Sequence, residues 1–196
     1  MTGEHHLSSR DLILDRAEQL FVEKGYRGVR LKNISDSVGI RQASLYYHFP
    51  RGKRELYVEV MRRSFIRKQA GLYEAIRNAG DNWREQLEAA TRWLLAQTLY
   101  DYRRMVQSDL PEIAKEDADQ LAREAYAALH LPIEEVFTHG SEQEGLKLPQ
   151  RGMMSGSFIA IVDGIQTIPE FALSRSRLEL AKEMIEILVE GLRPRG

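Results

Sequence analysis

The sequence predicts an all-α protein of about nine helices. An N-terminal three-helix unit of helix-turn-helix type precedes a larger helical region. Three observations carry this. Apolar residues recur at spacings of three and four along almost the whole chain, and no stretch alternates as a strand would. Helix-starting pairs such as Asn82 with Glu85 and Ser176 with Glu179 have the spacing of capping boxes. The stretch Asn33 to Phe49, NISDSVGIRQASLYYHF, places two short helical patterns on either side of Gly39. Glycine accepts the left-handed backbone of such a turn.

In chain order, a first helix runs from Ser8 or Ser9 to about Lys24, with Ile13, Ala17, Leu20 and Phe21 on one face and Gly25 as its stop. The second and third helices flank Gly39. Pro50-Arg51-Gly52 breaks the pattern, and a fourth helix extends from Lys53 to about Asn78. After Gly80-Asp81-Asn82 a fifth helix is expected to reach about Gln107. Pro111 opens a short sixth. A seventh is expected from about Asp117 to His139, kinked or broken at Pro132, followed by a polar loop from Gly140 to Pro149. An eighth fills about Gln150 to Ala172, bent near Pro169, and a ninth runs from Ser176 to about Gly191.

In the second and third helices, Ile34, Val38, Leu45 and Phe49 point inward, while Arg41, Gln42 and Ser44 point out. Such a pair offers the N-terminal side chains of its second helix to base edges in the DNA major groove. Arg41 suits guanine, Gln42 suits adenine, Ala43 can touch a thymine methyl, and Ser44 completes the first turn. Lys32 is a further candidate for phosphate.

At these residues the sequence resembles a known family. The run Phe21-Val-Glu-Lys-Gly25-Tyr26, then Ile34, Gly39-Ile40, Leu45-Tyr46-Tyr47-His48-Phe49, and Lys53 with Leu56, looks like the DNA-binding domain of the tetracycline-repressor (TetR) family over about residues 10–57. The resemblance implies a ligand-responsive regulator, most often a repressor, that binds a pseudo-palindromic operator. It also implies that Tyr46, Tyr47 and His48 meet phosphates and that Lys53 is a phosphate-contacting lysine. Two features depart from the pattern. Val29 and Arg30 stand where Ser or Thr usually caps the second helix, and Ser35 stands where Ala is common. The division implied is a DNA-binding domain over residues 1–52 and an effector-binding and dimerisation domain over residues 53–196.

Charge agrees with this placement. The chain of 196 residues has a net charge of −1, but residues 1–70 carry 14 Lys+Arg against 8 Asp+Glu, and the remainder is acidic. A basic N-terminal third is a nucleic-acid footprint. There is no cysteine, no apolar run of membrane-spanning length and no signal-peptide core, so a cytoplasmic protein without disulfides is expected.

The last two helices are apolar over more than one face, which needs more than one partner. Phe158, Ile161 and Ile165 of the eighth, with Leu178, Ala181, Ile185, Leu188 and Leu192 of the ninth, form the expected homodimer interface. Leu180, Met184 and Ile187 form a second stripe on the ninth helix; a buried helix pair in a monomer is the bland reading. Trp93, Gln97, Tyr100 and Arg104 on the fifth helix, with Met153, Met154 and Phe158 on the eighth, form a candidate effector pocket for an apolar or aromatic molecule. His130, Glu134, Glu135 and His139 have helical spacing that suits metal ligands, but Pro132 lies between them, and solvated polar residues are the better reading. No cofactor is expected. An enzyme using the helical cavity is the alternative function, but no phosphate loop, nucleophile elbow or metal-ligand motif is present.

Overall fold

A computed structural model describes residues 9–97, 104–150 and 152–193. Among the described residues every regular element is helical. The chain packs into two compact units. The first comprises residues 1–65 and 100–124, the second residues 66–99 and 125–196.

In the first unit, α1 (Ser9–Gly28) is broken at Gly25, whose φ of 66° and ψ of 176° no helix accommodates. α2 (Leu31–Val38) and α3 (Gln42–His48) follow, joined through Gly39 at φ 72°. The cap that Val29 and Arg30 cannot supply is replaced from within the helix: Asn33 Oδ1 accepts from the Arg30 N–H at 3.0 Å. Ser35 is buried and satisfied, its hydroxyl donating to the Lys32 carbonyl at 3.0 Å, so the position tolerates a polar residue. Ile13, Ala17, Phe21, Ile34, Leu45 and Phe49 are buried in this unit's core.

α4 (Lys53–Asn78) spans the residues of both units, as expected. α5 (Trp83–Ala96) starts at the Asn82 cap, whose side chain accepts from the Arg84 N–H at 2.9 Å, but it ends well short of the expected Gln107. Gln97 is extended at ψ 137°. Residues Met105–Asp109 instead form one turn of π-helix, and Leu110–Glu112, containing Pro111, a 3₁₀ turn.

α6 (Lys115–Glu144) continues through Pro132 without the break that the proline allowed for. The missing hydrogen bond is outweighed by burial: Ile133, Val136 and Phe137 beside it lie in the second unit's core. Gly140 does not stop the helix either. It is the place where the Trp83 ring lies on the α6 backbone, so close that a Cβ would stand 2.7 Å from the indole. The polar loop therefore begins after Glu144. α7 (Met153–Gln166) and α8 (Arg177–Glu190) are the expected eighth and ninth helices; α7 ends before Pro169, and Glu170–Ala172 is a 3₁₀ turn. Ser176 and Glu179 form the expected capping box.

One ion pair makes a pH-dependent contribution. The Arg84 guanidinium, at 2.8 Å, and then the Trp83 indole N–H, at 2.9 Å, hold the Glu144 carboxyl down to about 2. A depressed acid stabilises the fold above its ordinary value and loses that contribution as pH falls through the depressed one. Glu144→Gln is therefore expected to lower stability at pH 7 by on the order of 1 kcal/mol, discounted for the side chain's solvent exposure. The gap to the parent should close between about pH 4.5 and pH 2, followed by thermal melts across that range. A gap independent of pH would contradict the assignment.

Candidate nucleic-acid interface and effector region

α3 is short and anchored by two residues, Leu45 and Phe49, both fully buried. Their spacing of four puts them on one face. The opposite face is left to solvent: Arg41, Gln42, Ala43 and Ser44 are all exposed, with Arg41 in extended backbone immediately before the helix. Tyr47 is 83% exposed and Tyr46 46%, which excludes the reading of these two as core aromatics. His48 is half-buried, with its ring edge-on to Tyr47 at 5.3 Å. Lys32 is exposed on α2. The unit thus gathers cations, amides and phenols around the start of one helix, with no acidic residue in α3.

Lys53 occupies a different environment. Its ammonium donates to the carbonyls of Tyr26 at 2.9 Å and Val29 at 3.1 Å and stands 4.1 Å from the centre of the Tyr26 ring. Burial lowers its pKa from the ordinary lysine value, against the raising effect of Glu112 and Asp109. Two of its three donors tie the α1–α2 connection to α4.

In the second unit Phe158 is fully buried, edge-on to Phe137 at 6.2 Å, and Met154 is buried beside it, whereas Met153 is 60% exposed. Trp93 packs against α4, where a Cβ on Gly71 would lie 2.9 Å from the indole. The Gln97 carbonyl accepts from the Gln166 side chain at 3.3 Å. Tyr100 lies outside the described residues. Arg104 is not brought together with the others: its guanidinium donates to the carbonyls of Phe21 at 3.0 Å and Val22 at 2.8 Å, within the first unit. The expected helix register failed because α5 ends at Ala96.

A cavity of about 280 Å³ adjoins this region, lined by Phe137, Thr138, Leu148 and Met154 together with Glu134 and Glu135. Beside it, Glu134 accepts from Tyr126 and from Ser155, and the His130 ring lies 3.0 Å from the Ser155 hydroxyl. Burial lowers the His130 pKa, while the Glu134 charge opposes the shift. Among the described residues no group of three or more acidic or imidazole side chains is placed to hold a metal.

The apolar stripes of the last two helices divide in a way the spacing alone did not decide. Phe158, Ile165, Ala181 and Ile185 are buried in the second unit's own core. Ile161, Leu178, Leu188 and Leu192 are half-buried. The large exposed residues are those of the second stripe, Met184 at 45% and Ile187 at 61%, with Met153 on α7.

The helix-turn-helix region matches a known family model, that of the bacterial regulatory proteins of the tetR family, over residues 13–60. The chain is 28% identical over 155 residues to the HTH-type transcriptional activator FasR of Mycolicibacterium smegmatis, a match covering 78% of this chain and 68% of that protein. It is 54% identical over 48 residues to IcaR, the negative transcriptional regulator of the biofilm operon icaADBC in Staphylococcus epidermidis. That match covers 24% of this chain and only 25% of IcaR. The fold is that of AibR, solved in complex with isovaleryl coenzyme A and operator DNA, with a TM-score of 0.69, 19% identity and coverage of 92% of this chain and 97% of that one. Relatives and fold are those of DNA-binding regulators, and the enzymatic alternative is set aside on that ground. Among the described residues no helix is long and apolar enough to cross a membrane.

Proposed function

Because residues 13–60 match the model of the bacterial regulatory proteins of the tetR family, we propose that this chain is a regulator of that kind, which represses transcription as a homodimer on a pseudo-palindromic operator and is released by a small effector. The division of labour follows the one expected from sequence, with DNA binding in residues 1–52 and effector binding and dimerisation in residues 53–196. The setting would be the cytoplasm, where the operator is. The observation that carries this is the exposed start of α3, with Arg41, Gln42, Ala43 and Ser44 open to solvent above buried Leu45 and Phe49.

In this reading Arg41 and Gln42 read base edges, and Ala43 and Ser44 pack on the bases beside them. Tyr46, Tyr47, His48 and Lys32 meet phosphates. Lys53 supports the same surface mainly by holding Tyr26 and Val29, with one donor left for phosphate. Selection of duplexes from a random-sequence pool tests the reading directly. An enriched two-fold motif is expected. If each subunit neutralises about four phosphates, log K should fall against log[salt] with a slope of about −7. Affinity independent of salt would refute it.

Arg41→Ala and Gln42→Ala are each expected to relax base preference at particular motif positions by about 1–3 kcal/mol, whereas Tyr47→Phe should weaken all sequences alike. The measurement is binding to single-base variants of the selected duplex. Uniform loss for both Arg41→Ala and Gln42→Ala would remove base readout from these positions.

For the effector, the second unit's apolar interior around Met154, Phe158 and Trp93, with Gln97 at the end of α5, favours an apolar or aromatic body with one or two polar groups. Tyr100 and Met153 stay in the candidate set; Arg104 leaves it, because its guanidinium is committed to Phe21 and Val22. AibR, in which isovaleryl coenzyme A and operator DNA are bound together, is a precedent for the pairing of the two ligands and not for their identity. Binding of the effector would favour one state of α4 and so bias the helix-turn-helix.

A further inference from the structure

The break in α1 leaves a defect that another part of the chain repairs. At Gly25 the helix departs from its path, so the amides beyond it no longer serve the carbonyls of the preceding turn. Arg104 takes those carbonyls, Phe21 at 3.0 Å and Val22 at 2.8 Å. The freed N–H of Tyr26 donates instead to Asp109 Oδ1 at 2.9 Å. The other carboxylate oxygen accepts from the Tyr57 hydroxyl at 3.3 Å, and Asp109 is only 2% exposed. One π turn, Met105–Asp109, therefore carries the acidic half of a long-range cap, and the residue before it carries the basic half. Single π turns are uncommon and recur at functional positions.

Gly25 is constrained twice by this arrangement. Its φ is positive, and a Cβ there would lie 3.1 Å from Asp109 Oδ1. The Tyr26 peptide is gripped from both sides, by Asp109 through its N–H and by Lys53 through its carbonyl. Three residues on, Val29 is buried, and Arg30 opens α2. The path of residues 25–29 therefore decides where α2, and α3 after it, sit against α1 and the start of α4.

We propose that Asp109 and Arg104 are positioning residues for DNA binding: from outside the helix-turn-helix they lock the Gly25–Val29 connection and thereby aim α3. This rests on the reading of α3 as the DNA-contacting helix. Neither residue needs to touch DNA. Their removal should lower affinity through misplacement of an otherwise intact contact surface.

The test uses the full chain and the duplex that the parent enriches from a random pool; a parent that enriches nothing would overturn the DNA-binding reading itself, a separate result. Binding is measured well below each variant's melting temperature, so that the folded fraction is the same. Asp109→Asn keeps the shape and removes the charge, and is expected to weaken binding about tenfold. The salt slope and the ranking of single-base duplex variants should stay parental, because no phosphate or base contact is removed. Hydrogen exchange at the Tyr26 amide should accelerate. Tyr57→Phe, which removes one donor to the same carboxylate without opening a void, should change affinity and Tyr26 exchange in the same direction by a smaller factor, and it decides the question if Asp109→Asn does not fold. Asp117→Asn, which breaks the peripheral Arg54–Asp117 pair in the same unit, is the control and should bind as the parent. Parental affinity in folded Asp109→Asn or Tyr57→Phe would reduce the pair to a structural role and overturn the proposal. So would a reduced salt slope, which would mean that a phosphate contact had been lost instead.

Discussion

If the proposed homodimer closes on the exposed stripe of α8, Met184→Glu with Ile187→Glu is expected to convert it to a folded monomer and to weaken operator binding about a hundredfold or more. The two side chains are 45% and 61% exposed on α8. Two helices from each subunit would close a four-helix bundle about a two-fold axis. Two carboxylates per subunit buried in that bundle would be unpaired in an apolar setting. A monomer must then bind each half-site alone and loses the effective concentration that linkage gives the second contact. The protomer should survive, because these positions are solvent-facing in it. Sedimentation and circular dichroism check both halves of the statement. A double variant that remained a dimer would move the interface elsewhere. Ile185 is the informative contrast. It is 7% exposed inside the second unit, so Ile185→Ala should lower stability by about 2–4 kcal/mol and leave the dimer in place.

Gly140→Ala should destabilise the second unit strongly. In an open helix position the change would help by about 1 kcal/mol, since alanine is the better helix former. Here a Cβ would meet the Trp83 ring at 2.7–2.8 Å, and Trp83 is 1% exposed, with its indole N–H fixed on Glu144. Neither the ring nor the α6 backbone can yield cheaply, and the expected loss is about 2–3 kcal/mol. Thermal melts check the sign, which separates a packing glycine from a helix-breaking one. Adding Trp83→Leu should give a double variant more stable than the sum of the two single losses predicts, because the clash is removed with the ring. Additive losses would mean that the two residues do not compete for one space.

What the amino-acid sequence determined by itself was local. The helix-turn-helix was legible because its determinants lie within a few residues of each other. Gly39 makes the left-handed turn, Leu45 and Phe49 take one face by spacing, and what remains of α3 is polar and exposed. The Asn82 and Ser176 caps were readable for the same reason: donor and acceptor are two or three residues apart. Tertiary packing decided the rest. Pro132 should interrupt a helix on intrinsic preference, but neighbours buried in the core hold α6 continuous through it. Gly140 reads as a loop residue until Trp83, 57 positions away in the chain, is found on top of it. Both stripes of α8 have helical spacing, and only the packing of the second unit turns Ala181 and Ile185 inward and leaves Met184 and Ile187 outside. Nothing in the sequence pointed Arg104 or Asp109 toward α1, since their partners there lie more than eighty residues earlier. Periodicity states which residues share a face; which face is buried is a property of the neighbours, and those are brought together only by the folded chain.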